Sequence, residues 1–358
     1  MSTQGDTAAT IREISEAHRG KVSDKWSSYL DEYERVFRDI KGEPVSLLEI
    51  GIQNGGSLEI WGKYFARAEK LVGCDINEKC RVLTFEDDRV SVVVGDANTD
   101  EVQRRIGQIS PSFDIIIDDG SHKSGDIIRS FARYFPLLKP GGIFLAEDLH
   151  CSYWRDFDGG LFDPLSSISF FKDLADIISH DHWGIPESRE ALLEAYGRAY
   201  TAEFSETDLA GIHSVEFLDS ICVVKKRAVG QEGLGRRCFS GSTADVFPVE
   251  FQEESSDPGK INGADDQRHN EWSGTELFHD KNAAGAVAGE IRGLRKKIGE
   301  LENDLQSSGV QLAGAMADLK GANRQIEKLS HALALRENSL SWKLTAPLRG
   351  IGGIFSGK

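Results

Sequence analysis

Five short runs of Val, Ile, Leu and Phe punctuate the first 228 residues. They are Val45-Ser-Leu-Leu-Glu-Ile50, Lys70-Leu-Val-Gly-Cys-Asp75, Val90-Ser-Val-Val-Val94, Phe113-Asp-Ile-Ile-Ile-Asp118 and Gly142-Ile-Phe-Leu-Ala-Glu147, each stopping at an acid or a glycine. Near-continuous apolar runs suit strands buried on both faces of a parallel sheet. Helix-length segments separate them at 58–68, 100–109 and 126–138, the last closed by the stop and turn Lys139-Pro140-Gly141-Gly142. The alternation predicts an α/β fold with a doubly wound, Rossmann-like sheet over residues 1–228. Residues 212–217 and 221–226, joined at Leu218-Asp219-Ser220, predict a closing antiparallel hairpin.

The pattern then changes twice. Residues 229–285 are rich in Gly, Ser, Asp, Glu and Asn and poor in aliphatics, which reads as a disordered linker; Phe247, Phe251, Trp272 and Phe278 are scattered through it. Residues 286–338 carry a heptad. One position reads Ile291, Ile298, Leu305, Leu312, Leu319, Ile326, Leu333, and its companion reads Leu294, Leu301, Ser308, Ala315, Ala322, Leu329. A strict 3.5-residue period predicts a coiled-coil seam, and hence a homo-oligomer, over a helix packed on its own sheet. The tail 339–358 has no acid and mixes Trp342, Leu344, Leu348, Ile351, Ile354 and Phe355 with Lys343, Arg349 and Lys358. That mixture suits peripheral contact with a membrane surface, with a frayed tail or an oligomer contact as the alternatives.

Charge sharpens this division. The chain has 358 residues with 42 Lys+Arg, 58 Asp+Glu and a net charge of −16. The linker holds 11 acids and 5 bases, whereas 286–358 holds 7 acids and 11 bases. The acidic balance argues against a nucleic-acid partner. No apolar stretch of about 18 residues predicts a spanning helix, and Met1 to Ile11 shows no secretory h-region. Five cysteines (Cys74, Cys80, Cys151, Cys222, Cys238) without paired spacing suit a reducing cytoplasm.

Candidate chemistry gathers at the predicted strand ends. Leu48-Glu-Ile-Gly-Ile-Gln-Asn-Gly-Gly-Ser57 is a strand running into glycines and then a helix, which lets backbone approach a ligand. Gln53 occupies the second glycine's place of a dinucleotide fingerprint, which speaks against an NAD enzyme. Asp75 ends the next strand and can accept ribose hydroxyls; Asp96 ends the third and can accept from an exocyclic amine. Ile117-Asp-Asp-Gly-Ser-His122 and Ala146-Glu-Asp-Leu-His150 follow the fourth and fifth. If those strands are neighbours, their carboxylates converge, and a hard divalent cation such as Mg²⁺ relieves the repulsion. His122 is then placed to take a proton from a metal-acidified hydroxyl. Trp26, Tyr29 and Tyr33 recur at helical spacing after Ser23-Asp-Lys25, as an amphipathic core stripe would.

From about His18 to Lys226 the chain resembles class I S-adenosylmethionine-dependent methyltransferases. More narrowly it is similar to the macrolide-sugar O-methyltransferases of the mycinamicin and macrocin types, with cephalosporin-hydroxylase-like and rhamnosyl O-methyltransferase proteins. The matching segments are Leu48-Glu-Ile-Gly with Gly55-Gly-Ser, Gly73-Cys-Asp75, Asp118-Asp-Gly-Ser-His122, Glu147-Asp-Leu-His-Cys-Ser-Tyr-Trp154 and Phe217-Leu-Asp-Ser-Ile221. The resemblance implies that Glu49, Gly51, Gly55 and Gly56 hold the methionine part of S-adenosylmethionine, Asp75 its ribose and Asp96 its adenine region, with Asp118 on the cofactor side. It implies Asp119, Glu147 and Asp148 as Mg²⁺ ligands and His122 as general base. His150, Tyr153 and Trp154 are candidates for the sugar acceptor, and Trp26, Tyr29 and Tyr33 resemble the family's N-terminal helix that closes over cofactor or substrate, as an alternative to the core stripe. The expected function is cytoplasmic O-methylation of a sugar hydroxyl, and the heptad and tail turn the expectation toward a cell-surface glycan made at the inner face of a membrane. The alternatives are a methyltransferase of a small glycosylated natural product, a metal-assisted oxidation, and a non-catalytic coiled-coil scaffold of polysaccharide assembly.

Overall fold

The computed structural model describes residues 9–230, 239–246 and 275–338. Strands β1 (Ser46–Ile50), β2 (Lys70–Asp75), β3 (Val90–Val94), β4 (Phe113–Asp118), β5 (Leu138–Ala146), β6 (Ile212–Phe217) and β7 (Cys222–Lys226) form one sheet in the order β3-β2-β1-β4-β5-β7-β6. The pairs among β1 to β5 are parallel; β7 runs antiparallel to both β5 and β6. The predicted hairpin therefore inserts its second strand beside β5. Strand order reverses between β1 and β4, and in open α/β sheets the crevice at such a reversal is where ligands bind.

Burial on both faces explains the near-continuous apolar runs. Side chains alternate along each strand. Leu47, Leu71, Ile115, Ile117, Leu145 and Val223 share a cluster with Ile11 of α1 (Ile11–Ala17), Tyr33 and Phe37 of α2 (Ser27–Phe37) and Leu58, Trp61 and Tyr64 of α3 (Gly56–Tyr64). Leu48, Val72, Ile116, Phe144 and Val224 face Val102 and Ile106 of the helix 100–109, Phe131 of the helix 124–134 and Phe170 of the helix 167–178. The phenylalanine rings interlock, with Phe131 4.7 Å from Phe135 and 5.1 Å from Phe144 by ring centroid.

Two boundaries differ from expectation. Pro140 and Gly141 lie inside β5 rather than in a turn ahead of it, because β5 begins at Leu138 beside Phe113 and shifts register before Ile143 pairs with Ile115. Gly141 takes φ +82 there, which absorbs the irregularity. The C-terminal helix begins at Thr275, inside the segment read as linker, and runs to Asn338. Within the compact unit 1–290 its early turns rest on the short helix Glu194–Tyr200. Asn282 Nδ2 donates to Glu194 Oε2 (3.1 Å) and to Ala191 O (3.4 Å). A Cβ at Gly285 would come within 2.5 Å of Ala195 Cβ. Small residues that look like loop composition are here what lets a helix approach closely.

In the second unit the described residues continue as that single helix, and the leucines and isoleucines at its heptad positions from Ile291 to Leu329 are exposed. No described helix is long and apolar enough to cross a membrane. Cys74, Cys80, Cys151 and Cys222 are buried free thiols. The expectations placed on Cys238, Phe247, Phe251, Trp272 and the tail 339–358 lie outside the described residues.

Candidate active site

At the carboxyl ends of β1 to β4 lies a cleft of about 250 Å³ lined by Gly51, Gln53, Asp75, Asp96, Asp118 and Asp126 among others, with no Lys or Arg among the described residues that line it. Such a donor set suits a ligand that presents hydroxyls and amines, not a phosphate. Local backbone fixes its acids. Asp75 Oδ2 accepts from the N–H groups of Ile52 (3.0 Å) and Gln53 (2.9 Å), and its Oδ1 from Asn77 (2.8 Å). Asp96 Oδ1 accepts from Asn98 N–H (2.9 Å), and Asp118 Oδ1 from Gly120 N–H (3.2 Å). Burial pushes the Asp118 carboxyl up to about 7. Gly51 has φ +86, and a Cβ there would sit 1.9 Å from Asp119 O, so only glycine lets the turns after β1 and β4 touch.

Glu49, Gly55 and Gly56 lie outside that lining. Glu49 is fully buried and accepts from Ser57 Oγ (2.6 Å). Burial raises its carboxyl, opposed by the nearby Lys25 ammonium at 3.5 Å. Gly56 opens α3 directly beneath the segment 18–26, since a Cβ there would meet Lys21 O at 2.2 Å. Glu59 of α3 staples this segment down through Lys21 N–H (2.9 Å) and Lys21 Nζ (2.7 Å).

The stapled segment delivers Lys25 into the acids. Its Nζ lies 2.6 Å from Asp119 Oδ2 and 2.9 Å from each oxygen of Glu147. Burial works against this charge, yet Glu147, Tyr33, Asp119 and Glu49 together hold the Lys25 pKa well above the ordinary lysine value. Burial in turn raises the carboxyls of Asp119 and Glu147, with Lys25 pulling them back. Tyr33 hydroxyl also donates to Glu147 Oε1. One turn earlier, Tyr29 hydroxyl donates to Asp148 Oδ1 (2.7 Å), with Ser220 Oγ of the β6–β7 turn 2.8 Å away.

Asp119, His122 and Asp148 come together with one ligand atom from each lying within 4.8 Å of the others. His122 Nε2 is 3.5 Å from Asp148 Oδ2, and its buried Nδ1 has no hydrogen-bond partner among the described residues. His122 (φ 56) and Asp148 (φ 53) both hold left-handed backbone, an unfavourable state for residues with a Cβ and one that clusters at functional sites. The two carboxylates fit a hard divalent cation by their donor chemistry, with the His122 imidazole beside them. Glu147 stands beside this trio, with its oxygens engaged by Lys25 and Tyr33.

Residues 48–149 match the family model described as a methyltransferase domain. Over those residues the chain carries a methyltransferase domain. The chain is 33% identical over 225 residues to the 8-demethyl-8-alpha-L-rhamnosyl tetracenomycin-C 2'-O-methyltransferase of Streptomyces olivaceus, covering 60% of this chain and 55% of that protein. It is 38% identical over 159 residues to the Mycinamicin VI 2''-O-methyltransferase of Micromonospora griseorubida, covering 41% of this chain and 39% of that protein. Among solved structures it resembles the MycE methyltransferase of the mycinamycin biosynthetic pathway in complex with Mg, SAH and mycinamycin VI. The TM-score is 0.51 and the identity 27%, with 69% of this chain and 59% of that chain covered. The chain thus spans about half the length of the curated relatives it matches.

An aromatic rim surrounds the acid trio of the methyltransferase domain. His150 and Trp154 pack edge to face at 5.0 Å, Trp26 meets His150 at 6.1 Å, and Phe157 lies 6.0 Å from Trp154. Trp26 and Trp154 are 60% and 52% exposed beside the acids, and Tyr153 is exposed next to them. Trp26 Nε1 also donates to Asp148 Oδ1 (3.1 Å). Sequence reading left Tyr29 and Tyr33 between a core stripe and a helix that closes over cofactor or substrate. They are buried, and their hydroxyls reach the acids as well. It gave no role to Lys25; the one available signal was a lysine directly ahead of that tyrosine stripe.

Proposed function

We propose that this chain transfers the methyl group of S-adenosylmethionine to a sugar hydroxyl of a glycosylated natural product, with Mg²⁺ as cofactor. The observation that carries the proposal is the meeting of Asp119, His122 and Asp148 beside an acid-lined cleft without cations. The relatives support it: two are named as O-methyltransferases of glycosylated natural products, and the MycE structure contains Mg and SAH. They favour a glycosylated small molecule over the cell-surface glycan that heptad and tail suggested.

In this reading Asp75 accepts the ribose hydroxyls and Asp96 the adenine amine. Asp118, Glu49, Gly51 and the Gly55-Gly56 turn flank the methionine part. Asp119 and Asp148 would hold the cation with Glu147 as the third carboxylate, and Lys25 competes for the oxygens of Asp119 and Glu147. When bound, the cation makes a coordinated sugar hydroxyl more acidic. His122, whose Nε2 is oriented by Asp148 (3.5 Å), receives that hydroxyl's proton. His150, Tyr153 and Trp154 supply a face on which a sugar ring can rest. The heptad-bearing helix supports self-association, and the composition of 339–358 supports contact with an anionic membrane surface.

Radiolabelled methyl transfer to a panel of rhamnosides tests the proposal. Activity is expected to vanish in EDTA, to return with Mg²⁺, and to fall about 100-fold or more in His122→Ala. Activity indifferent to both EDTA and His122→Ala overturns the mechanism. Calorimetric titration with S-adenosylhomocysteine that shows no binding overturns the cofactor assignment.

A further inference from the structure

The exposed stripe of the C-terminal helix carries more than periodicity. Near its two ends the first seam position is isoleucine and the second leucine: Ile291 with Leu294, Ile298 with Leu301, and Ile326 with Leu329, all exposed. A β-branched residue at the first position with leucine at the second is the combination that favours two parallel strands. Between them, Ser308, Ala315 and Ala322 leave the second position small.

The flanking charges agree. In a parallel, in-register pair, the residue just before each first seam position faces the residue five places on in the other strand. Glu290 then faces Arg295 of the second copy, and Lys297 faces Glu302 of the second copy. Both pairs are attractive. The pairs that follow set Asp304 against Gly309 and Asp318 against Asn323, so no like charges oppose each other.

Within the unit 1–290, Asn282, Gly285, Ala288 and Gly289 are packed against neighbouring residues and lie off the two heptad positions. Val287, which lies on the second heptad position, is exposed.

We infer that residues 290–329 pair with the same residues of a second copy of this chain as a parallel, in-register, two-stranded coiled coil, with Glu290–Arg295 and Lys297–Glu302 fixing the register. This rests on the self-association proposed above and adds strand number, direction and register.

Sedimentation equilibrium of the full-length chain under reducing conditions is expected to give twice 39.5 kDa. Lys297→Glu is expected to raise the dimer dissociation constant about tenfold, because two symmetry-related pairs turn repulsive. Adding Glu302→Lys restores the affinity. On oxidation, Ile298→Cys and Ile326→Cys each cross-link to themselves, and a mixture of the two variants yields no 298–326 cross-link. A mass of three chains, a 298–326 cross-link, or failure of the charge swap to rescue overturns the arrangement while leaving self-association intact. A monomer at every concentration overturns both. S-adenosylhomocysteine binding unchanged in Lys297→Glu shows that the variant reports on pairing and not on the folding of the methyltransferase domain.

Discussion

The acids at the two sides of the sheet's switch point are held by different means. On the cleft side, Asp75, Asp96 and Asp118 accept N–H groups from residues no more than 23 positions away, and mostly two. Around the candidate cation site, Asp119, which also borders the cleft, and Glu147 are held by a lysine 94 and 122 residues distant, and Asp148 by a tyrosine 119 residues distant. Backbone capping fixes a carboxylate cheaply and leaves its other edge free for a ligand. Long-range capping places a removable side chain where a cation is expected to bind, so this half of the site is coupled to the packing of the N-terminal segment.

Breaking that coupling has the largest expected effect. Lys25→Met leaves Glu49, Asp119 and Glu147 facing one another without a cation, and losing one partner of a buried ionic cluster costs about 3–5 kcal/mol. Chemical denaturation in EDTA measures the loss. Millimolar Mg²⁺ is expected to stabilise this variant more than the wild type, because the ammonium no longer competes for the same oxygens. A variant that unfolds like the wild type in EDTA shows that Lys25 does not hold the cluster.

Tyr33→Phe is milder. It removes a buried hydroxyl from Glu147 and is expected to cost about 1–3 kcal/mol, with S-adenosylhomocysteine affinity kept. A large loss of affinity instead would mean that the two sides are not separable.

The smallest effect belongs to the cleft. Asp118 has its carboxyl raised by burial from 3.8 to about 7. Between those values the native state keeps a proton that the unfolded chain has released, so stability contributed by this group falls as pH rises through that window. Asp118→Asn is expected to flatten this part of the stability profile, followed by thermal unfolding from pH 4 to 8. An unchanged slope would assign the pH dependence to other groups.

The same contrast marks what could be read in advance. β2, β3, β4 and the helix 100–109 lie where their apolar runs and caps placed them, because buried parallel strands and a Thr99 cap on Val102 N–H are local signals. Asp75 and Asp96 stand on the cleft wall because a strand-end acid is local too. The start of β5 was not legible, since a register shift depends on the neighbouring strand. Thr275 as a helix start was not, since Gly285 reads as a breaker until Ala195 is known to lie against it. Lys25 was hidden for the same reason: nothing near residue 25 announces that residues 119 and 147 fold over it.

The left-handed backbone at His122 and Asp148 has a consequence for laboratory evolution of this protein. Glycine at either position relieves about 1–2 kcal/mol of conformational strain. A library screened for heat resistance alone is therefore drawn toward glycine at 122 and 148, the two places where hardiness is gained by discarding the groups nearest the chemistry. Any thermostable descendant should be sequenced there first.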